Sequence, residues 1–490
     1  MLDSIQQFLI NGVPNLQKAA TDFSDKPQNF AEFVYKVKDE VLKIGLDFIA
    51  ETLNDCDQIV RDCPKRRENW NVSRRDSKEL VTCIGKVTFQ KTLFINKHTG
   101  KSRYLVDDLL GFDSHERLSE DAEAELLKES VETSYRKGGK AVSILDEVTK
   151  ETVKDKIHAL NFPKEQKHVG RKRKVEVLYI EADEDHVSLQ FINKKGDLPI
   201  SESGRKLNGA ITKLVYVHEG LEKDAPKSTR HHLINPHYFS GTFEGSKNAD
   251  LWDEVYAYIE NTYDIESIKK IYLSADGGSW IKAGAKRLGG LTYVIDEFHL
   301  KKYLIKMTNH LLDSADDARH LVIDTIKDGN KEDFRSVVDM LQYHAESEKQ
   351  RAQIGKSADY ILDNWSAAKI RLKVRKIAGS STEGHVSHVL SKRMSTAAMG
   401  WSKTGADKMA GLRAYSWNKK DMLELVRYQR GISKKAAGAE EMSEVAEEAK
   451  ATKYNHPSWA KYVDAIQVEL SNEMKKWMSI GLHSYVWNLF

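Results

Sequence analysis

Three apolar, β-rich runs of this sequence end in aspartate: YIEAD at Asp183, YLSAD at Asp276 and YVID at Asp296. In an α/β sheet, ligands collect at the carboxyl ends of the strands, so acids placed there point into one shared crevice. A single aspartate after a strand is usually a turn former or helix cap. Repetition on separate strands points instead to a site for a hard divalent cation, which takes one or two carboxylates plus substrate phosphate oxygens. A third acid, Glu383, opens TEGHVSHVL, where Glu383, Val386 and Leu390 share one helical face; the spacing predicts an acid on a buried face. Helix capping is the competing account, with Ser380, Ser381 or Thr382 as N-cap and Glu383 in the first turn. Two aspartates and a glutamate suit a pair of ions about 3.5–4 Å apart, one activating an attacking oxygen and one stabilising the leaving oxygen of a phosphoryl displacement.

The elements that must position these acids follow from hydrophobic period. Between Lys174 and about Leu304 strands and helices alternate: Val175 to Ala182, Ile211 to Val217, Ile271 to Ala275 and Leu291 to Ile295 read as strands, with a helix from Leu251 to Tyr263. From Asn309 to Ile377 the pattern is wholly helical, a block inserted in an α/β domain, and another helix follows Glu383. The expected domains are a helical region over 1–77, a small β-hairpin unit over 78–112, a helix-turn-helix-like region over 113–165, the α/β domain over 170–430 with its helical insertion at about 309–378, and a linker with C-terminal helices over 431–490. Within 113–165, Ser119 caps a helix to Tyr135, Gly138-Gly139 breaks it, Ala141 to Glu147 forms a second, and Thr149 caps a third to Leu160. The third helix carries Lys150 and Lys154, which suit a DNA groove, although a plain helical bundle has the same outline.

A chain of 490 residues exceeds one core, so several domains are expected. Net charge is only +3, so any affinity for an anionic polymer has to come from local runs. The clearest is Lys164 to Lys174, with Arg171, Lys172, Arg173 and Lys174 at its end; it either lies along phosphates or is a solvated linker. Three cysteines without C-x-x-C spacing suggest neither a disulfide framework nor structural zinc. The first residues lack a basic n-region and no run of about 18 apolar residues occurs, so neither an export signal nor a membrane span is expected. These features fit a cytoplasmic protein. Residues 431–452 are Ala- and Glu-rich without a wide apolar face and read as a mobile or solvent-bridging segment; Trp459 to Phe490 reads as helix.

The strings LYIEADEDHVSLQ (178–190), IYLSADGGSWI (271–281), VIDEFHLKKYL (294–304) and STEGHVSHVLSKRMSTAAMGWSKTGADKMAGLR (381–413) resemble the ISLre family of bacterial insertion-sequence transposases, related to the Mutator-type Asp-Asp-Glu transposases. The resemblance runs from about residue 75 to 430. It implies an α/β ribonuclease-H-like catalytic domain with a helical insertion before the last acid. Asp183 would be the acid of the first strand, Asp276 that of the fourth and Glu383 the one after the insertion; Glu181 and Asp185 remain rivals to Asp183, because strand parity cannot choose among them. Asp296-x-x-His299 matches an arrangement such transposases carry after the second acid, which implies a supporting or DNA-end-binding role, beside the simpler account of a helix cap. Trp401 is either a DNA contact by stacking or a structural tryptophan.

The function implied is that of a transposase, binding double-stranded DNA at the terminal inverted repeats and at the target, and cutting and joining strands with Mg²⁺ or Mn²⁺ held by Asp183, Asp276 and Glu383. Cutting two ends in register implies a homo-oligomer, at least a dimer on DNA, associated with the bacterial nucleoid while bound. The alternative is a catalytically inactive, transposase-derived DNA-binding protein.

Overall fold

The computed structural model describes residues 2–113, 115–164, 170–192, 194–197, 200, 208–287, 289–374, 377, 381–397, 399–436 and 444–452. Ser380, part of the 164–174 basic run and nearly all of the expected C-terminal helical region lie outside the described residues. The chain divides into two compact units, one built from Met1–Glu129, Arg136–Lys150 and Val426–Phe490, the other from Ser130–Tyr135 and Glu151–Leu425. Three of the four passages between them fall inside the 113–165 segment and the fourth follows Leu425.

The first unit opens with helices, the longest a 33-residue helix over Phe30–Asp62. A three-stranded antiparallel sheet follows, with strands β1 (Trp70–Val81), β2 (Lys86–Asn96) and β3 (Ser102–Arg103) in that order. The hairpin therefore begins eight residues before the expected 78. Residues Leu105–Leu110, expected to extend the β unit, form a short helix ended by Gly111 in the left-handed region. Ile59, Val60, Cys63, Phe94 and Leu105 form a core there with Val445 and Ala449. None of the three cysteines is in a disulfide.

Helices span Glu120–Glu132, Tyr135–Ala141 and Lys150–His158. The Gly138-Gly139 pair lies inside the second of these rather than ending it. The expected helix over Ala141 to Glu147 is absent. Its backbone is engaged elsewhere: Ile144 N–H donates to the Cys83 carbonyl, and the Asp146 side chain accepts from Lys86 N–H. Tertiary hydrogen bonds there override local propensity.

In the second unit, strands β4 (Val177–Ser188), β5 (Gly209–His218), β6 (Leu221–Lys223), β7 (His231–Leu233), β8 (His237–Gly241), β9 (Lys270–Ala275) and β10 (Leu291–Ile295) are described. Five of them make one mixed sheet in the order β10-β9-β4-β5-β8. β4 runs parallel to β9 and antiparallel to β5, and β10 is parallel to β9. The period-2 alternation of β4 divides its side chains between two faces. Leu178, Ile180 and Ala182 join the core with Val215, Val217, Leu273 and Ala275 against Leu251, Trp252, Val255 and Ile259 of helix Asn248–Thr262. Glu181, Asp183 and Asp185 face the other way. After β10 come helix Glu297–Thr308 and the helical insertion, with helices Ala315–Asp328, Lys331–Tyr343, Glu348–Asp363 and Trp365–Lys373 around their own core of Val322, Ile326, Phe334, Leu341 and Ile361. The chain then returns to the sheet at Ser381. Among the described residues no helix is long and apolar enough to cross a membrane.

Candidate functional site

Strand register assembles the first two acids. Ala182 pairs with Ala275 between parallel β4 and β9, so Asp183 and Asp276 stand at one level on strands about 4.8 Å apart. Ile295 pairs with Ala275 on the other side, which sets Asp296 at the same level. Strands β9 and β10 end together at this level, whereas β4 continues past Asp183 to Ser188 paired with β5, which corrects the expectation that its strand ends at the acid. Glu383 arrives from the far side of the insertion, on helix Thr382–Val386, which continues without interruption into a π-helical turn over Ser387–Ser391 and a last turn over Lys392–Met394.

The carboxyl group of Asp183 is buried, and burial is the main cause of its pKa being pushed up to about 7. Glu184 N–H donates to it at 2.8 Å and works in the opposite direction. The negative charges of Asp276 and Glu383 push it further up, while His299 pulls it down. Both other expected acids therefore lie within electrostatic reach of Asp183. Glu383 itself is exposed, which corrects the expectation of a buried face: Thr382, Val386, Val389 and Leu390 take the buried stripe, and the π-helical turn after Val386 breaks the regular spacing on which that expectation rested.

The rivals to Asp183 are engaged elsewhere. Asp185 accepts a hydrogen bond from Ser395 Oγ at 2.8 Å. Glu181 is 2% exposed and surrounded by donors. Burial pushes its pKa up, but hydrogen bonds from His218, Thr382 and Tyr216 outweigh burial and hold the carboxyl below its ordinary range.

Asp276 sits in a turn gripped from outside the sheet. Its Oδ1 accepts from Gly278 N–H at 2.9 Å, and its carbonyl accepts from Tyr360 Oη of the helical insertion at 2.6 Å. Gly277 has φ +100°, and a Cβ there would stand 3.1 Å from Asn364 Oδ1, so only glycine fits this turn. The Arg371 guanidinium, also from the insertion, donates to the Ile295 carbonyl and to Ser274 Oγ, both at 3.0 Å. Neither Tyr360 nor Arg371 carries a sequence signal for this duty, since both read as ordinary positions on amphipathic helices.

Asp296 caps helix Glu297–Thr308, accepting from Phe298 N–H at 2.7 Å and His299 N–H at 3.1 Å. His299 Nδ1 stands 3.6 Å from Asp296 Oδ1 and has no hydrogen-bond partner among the described residues. The Asp296 carboxylate raises the His299 pKa against the effect of burial, helped by Asp183 and Asp276. The cap and the pairing with the acids occur together.

Trp401 is the residue the structure moves out of the expected DNA-contacting set. Its indole is 6% exposed, its Nε1 donates to the Met394 carbonyl at 2.8 Å, and the Arg393 guanidinium lies 5.0 Å from the ring centroid. With its ring enclosed, it offers no face for stacking on a base. Its backbone joins the end of β4, donating to the Ser188 carbonyl and accepting from Gln190 N–H. Among the basic candidates, Lys150, Lys154, Arg171, Lys172, Arg173 and Lys174 are all exposed. Lys154 pairs with Asp155, Arg173 with Glu219 and Lys174 with Asp264.

Among the described residues no three His, Cys, Asp or Glu side chains already form a cage for a metal ion. The donor set nevertheless fits a hard cation: oxygen ligands only, with a buried carboxyl whose ionisation is opposed by two neighbouring acids. Mg²⁺ keeps several waters and binds through one or two carboxylates plus phosphate oxygens, so it does not require an all-protein cage.

A family described as an uncharacterised protein family, UPF0236, matches residues 24–430 of this chain. A UPF0236 protein of Caldanaerobacter subterraneus subsp. tengcongensis is 34% identical over 423 residues, covering 86% of this chain and 85% of the relative. The UPF0236 protein in the vanSb 3′ region of Streptococcus gallolyticus is 24% identical over 358 residues, covering 70% of this chain and 73% of the relative. Among solved structures, the Drosophila P element transposase strand transfer complex is matched at 11% identity with a TM-score of 0.23, over 76% of this chain and 95% of that one.

Proposed function

This chain belongs to the UPF0236 family, and we propose that it is a DNA transposase whose second unit is a ribonuclease-H-like catalytic domain with Asp183, Asp276 and Glu383 as its acids. One observation carries the reading: the Ala182–Ala275 register sets two aspartates side by side, and the charge of Glu383, more than 100 positions later, reaches the same carboxyl. The order of parts supports it as well. The acids lie on the first and after the fourth strand of the five-stranded sheet, and the third follows a helical insertion.

In this account the acids hold Mg²⁺ or Mn²⁺, which when bound supplies charge compensation for in-line displacement at phosphorus. Asp183 must lose its proton for the site to form, and His299 favours that loss by placing positive charge beside it. Tyr360 and Arg371 fix the Asp276 turn so that its carboxylate need not reorganise. Water attacks the phosphorus of one strand, the bond to the 3′ oxygen breaks and a 3′-hydroxyl is freed, leaving a 5′-phosphate. That hydroxyl then gives up its proton and attacks a target phosphodiester, whose own bond to the 3′ oxygen breaks as the new one forms, so that the target strand's 3′ oxygen leaves and takes up a proton. Terminal repeats and target DNA are the partners, and two ends cut in register call for at least two copies of the chain.

The test is cleavage of labelled DNA carrying the element ends. Wild type should nick only with Mg²⁺ or Mn²⁺, whereas Asp183→Asn, Asp276→Asn and Glu383→Gln should bind the same DNA and leave it intact. Metal-independent binding without cutting by wild type would favour an inactive DNA-binding protein; cutting by all three variants would overturn the assignment of the acids.

A further inference from the structure

Glu181, Asp183 and Asp185 share one face of β4, and the two outer acids hold opposite ends of one helical run. At its amino end, Glu181 Oε2 accepts from Ser381 N–H at 3.0 Å, Thr382 Oγ1 at 2.5 Å and Tyr216 Oη at 2.7 Å, while Oε1 faces His218 Nε2 at 3.2 Å. At its carboxyl end Asp185 accepts from Ser395 Oγ. The first N–H groups of a helix have no partner within it, and the Ser381 side chain makes no capping bond, its Oγ lying instead 3.1 Å from Tyr216 Oη. The cap is supplied by another element, the strand bearing Asp183.

We propose that Glu181 is a positioning residue: its buried carboxylate ties the amino end of the Glu383 helix to β4 and so sets where Glu383 stands relative to Asp183. The catalytic consequence rests on the transposase reading; the tether does not. A buried carboxylate is a costly way to fill a core position, and an apolar side chain would pack there at lower cost. What the carboxylate adds is direction, because its lone pairs fix Ser381 and Thr382, and Glu383 is the next residue. Its effect on the site therefore passes through Glu383.

The experiment uses the full chain with Glu181→Gln, Glu181→Ala, Thr382→Val and Thr382→Ser. Three quantities are measured: amide exchange over 381–386, affinity for end DNA, and single-turnover cleavage with Mg²⁺. Thr382→Val removes one donor without changing side-chain volume, so it remains informative where Glu181→Ala fails to fold. Glu181→Ala and Thr382→Val should exchange faster at 381–386, bind DNA within about twofold of wild type and cleave about 10- to 100-fold more slowly, the range expected for an acid misplaced by up to an ångström. Thr382→Ser and Glu181→Gln, which keep an acceptor or hydroxyl in place, should restore most of the rate. Unchanged exchange over 381–386 in Thr382→Val overturns the tether, and so does a loss of cleavage matched by equal loss of DNA affinity. Absence of cleavage by wild type counts against the transposase reading alone, and the exchange measurement still decides the tether.

Discussion

Asp183 carries a burial cost that the Glu184 N–H and His299 only partly relieve. Its carboxyl ionises near pH 7 in the fold, against about 3.9 in an unfolded chain. A folded-state pKa above the unfolded value contributes stability that is complete below the unfolded pKa and is lost as pH rises through the folded one. At pH 8 the metal-free protein therefore holds an unfavourable buried charge. Asp183→Asn should raise the unfolding free energy at pH 8 by on the order of 2–4 kcal/mol, with the gain shrinking towards zero as pH falls to 4. Denaturant unfolding at the two pH values, without divalent metal, checks this; an equal effect at both would mean that ionisation is not the cause. The sequence does not choose between Asp183 and its neighbours, for a physical reason. Residues 181, 183 and 185 share one parity, and only the helix returning from the insertion, with Ser381, Thr382 and Ser395, distinguishes them.

At the scale of elements, the strand ends that carry aspartates were legible because period-2 apolar runs ending in a polar turn mark them directly: β10 ends at Ile295 and β9 at Ala275, as read from sequence. β8, over His237–Gly241, was not, since HYFSG lacks alternation and its pairing partner β5 lies some 20 residues away. The π-helical turn after Val386 was equally hidden. Its stability comes from a distant guanidinium: Arg413 is 1% exposed and donates to the carbonyls of Val389, His388 and Val131, and to Glu132. Arg413→Leu removes those donations from a buried site and should lower the unfolding free energy by about 3 kcal/mol or more. A loss below about 1 kcal/mol in denaturant unfolding would mean that water or repacking satisfies them.

For the whole molecule, a net charge of +3 means that the DNA binding proposed above would have to come from local charge. Arg173 and Lys174 already face Glu219 and Asp264, so on the proposed function Arg171 and Lys172 would be the better phosphate ligands of these four. Replacing both with alanine should flatten the salt dependence of DNA binding, reducing the log–log slope by up to about 0.9 for each phosphate no longer neutralised; an unchanged slope assigns the run to a solvated linker. The proposed site is a whole-molecule matter too, since the acids at 183, 276 and 383 could share a metal ion only if the sheet and the insertion bring them together. Their convergence can be measured without knowing the DNA ends. Titration of Mn²⁺ into the full-length protein, followed by paramagnetic resonance, should report binding in wild type. Asp183→Asn, Asp276→Asn and Glu383→Gln should each weaken it at least about tenfold, the loss seen for outer-shell partners alone. Wild-type affinity in all three variants would contradict the single carboxylate site on which the account depends.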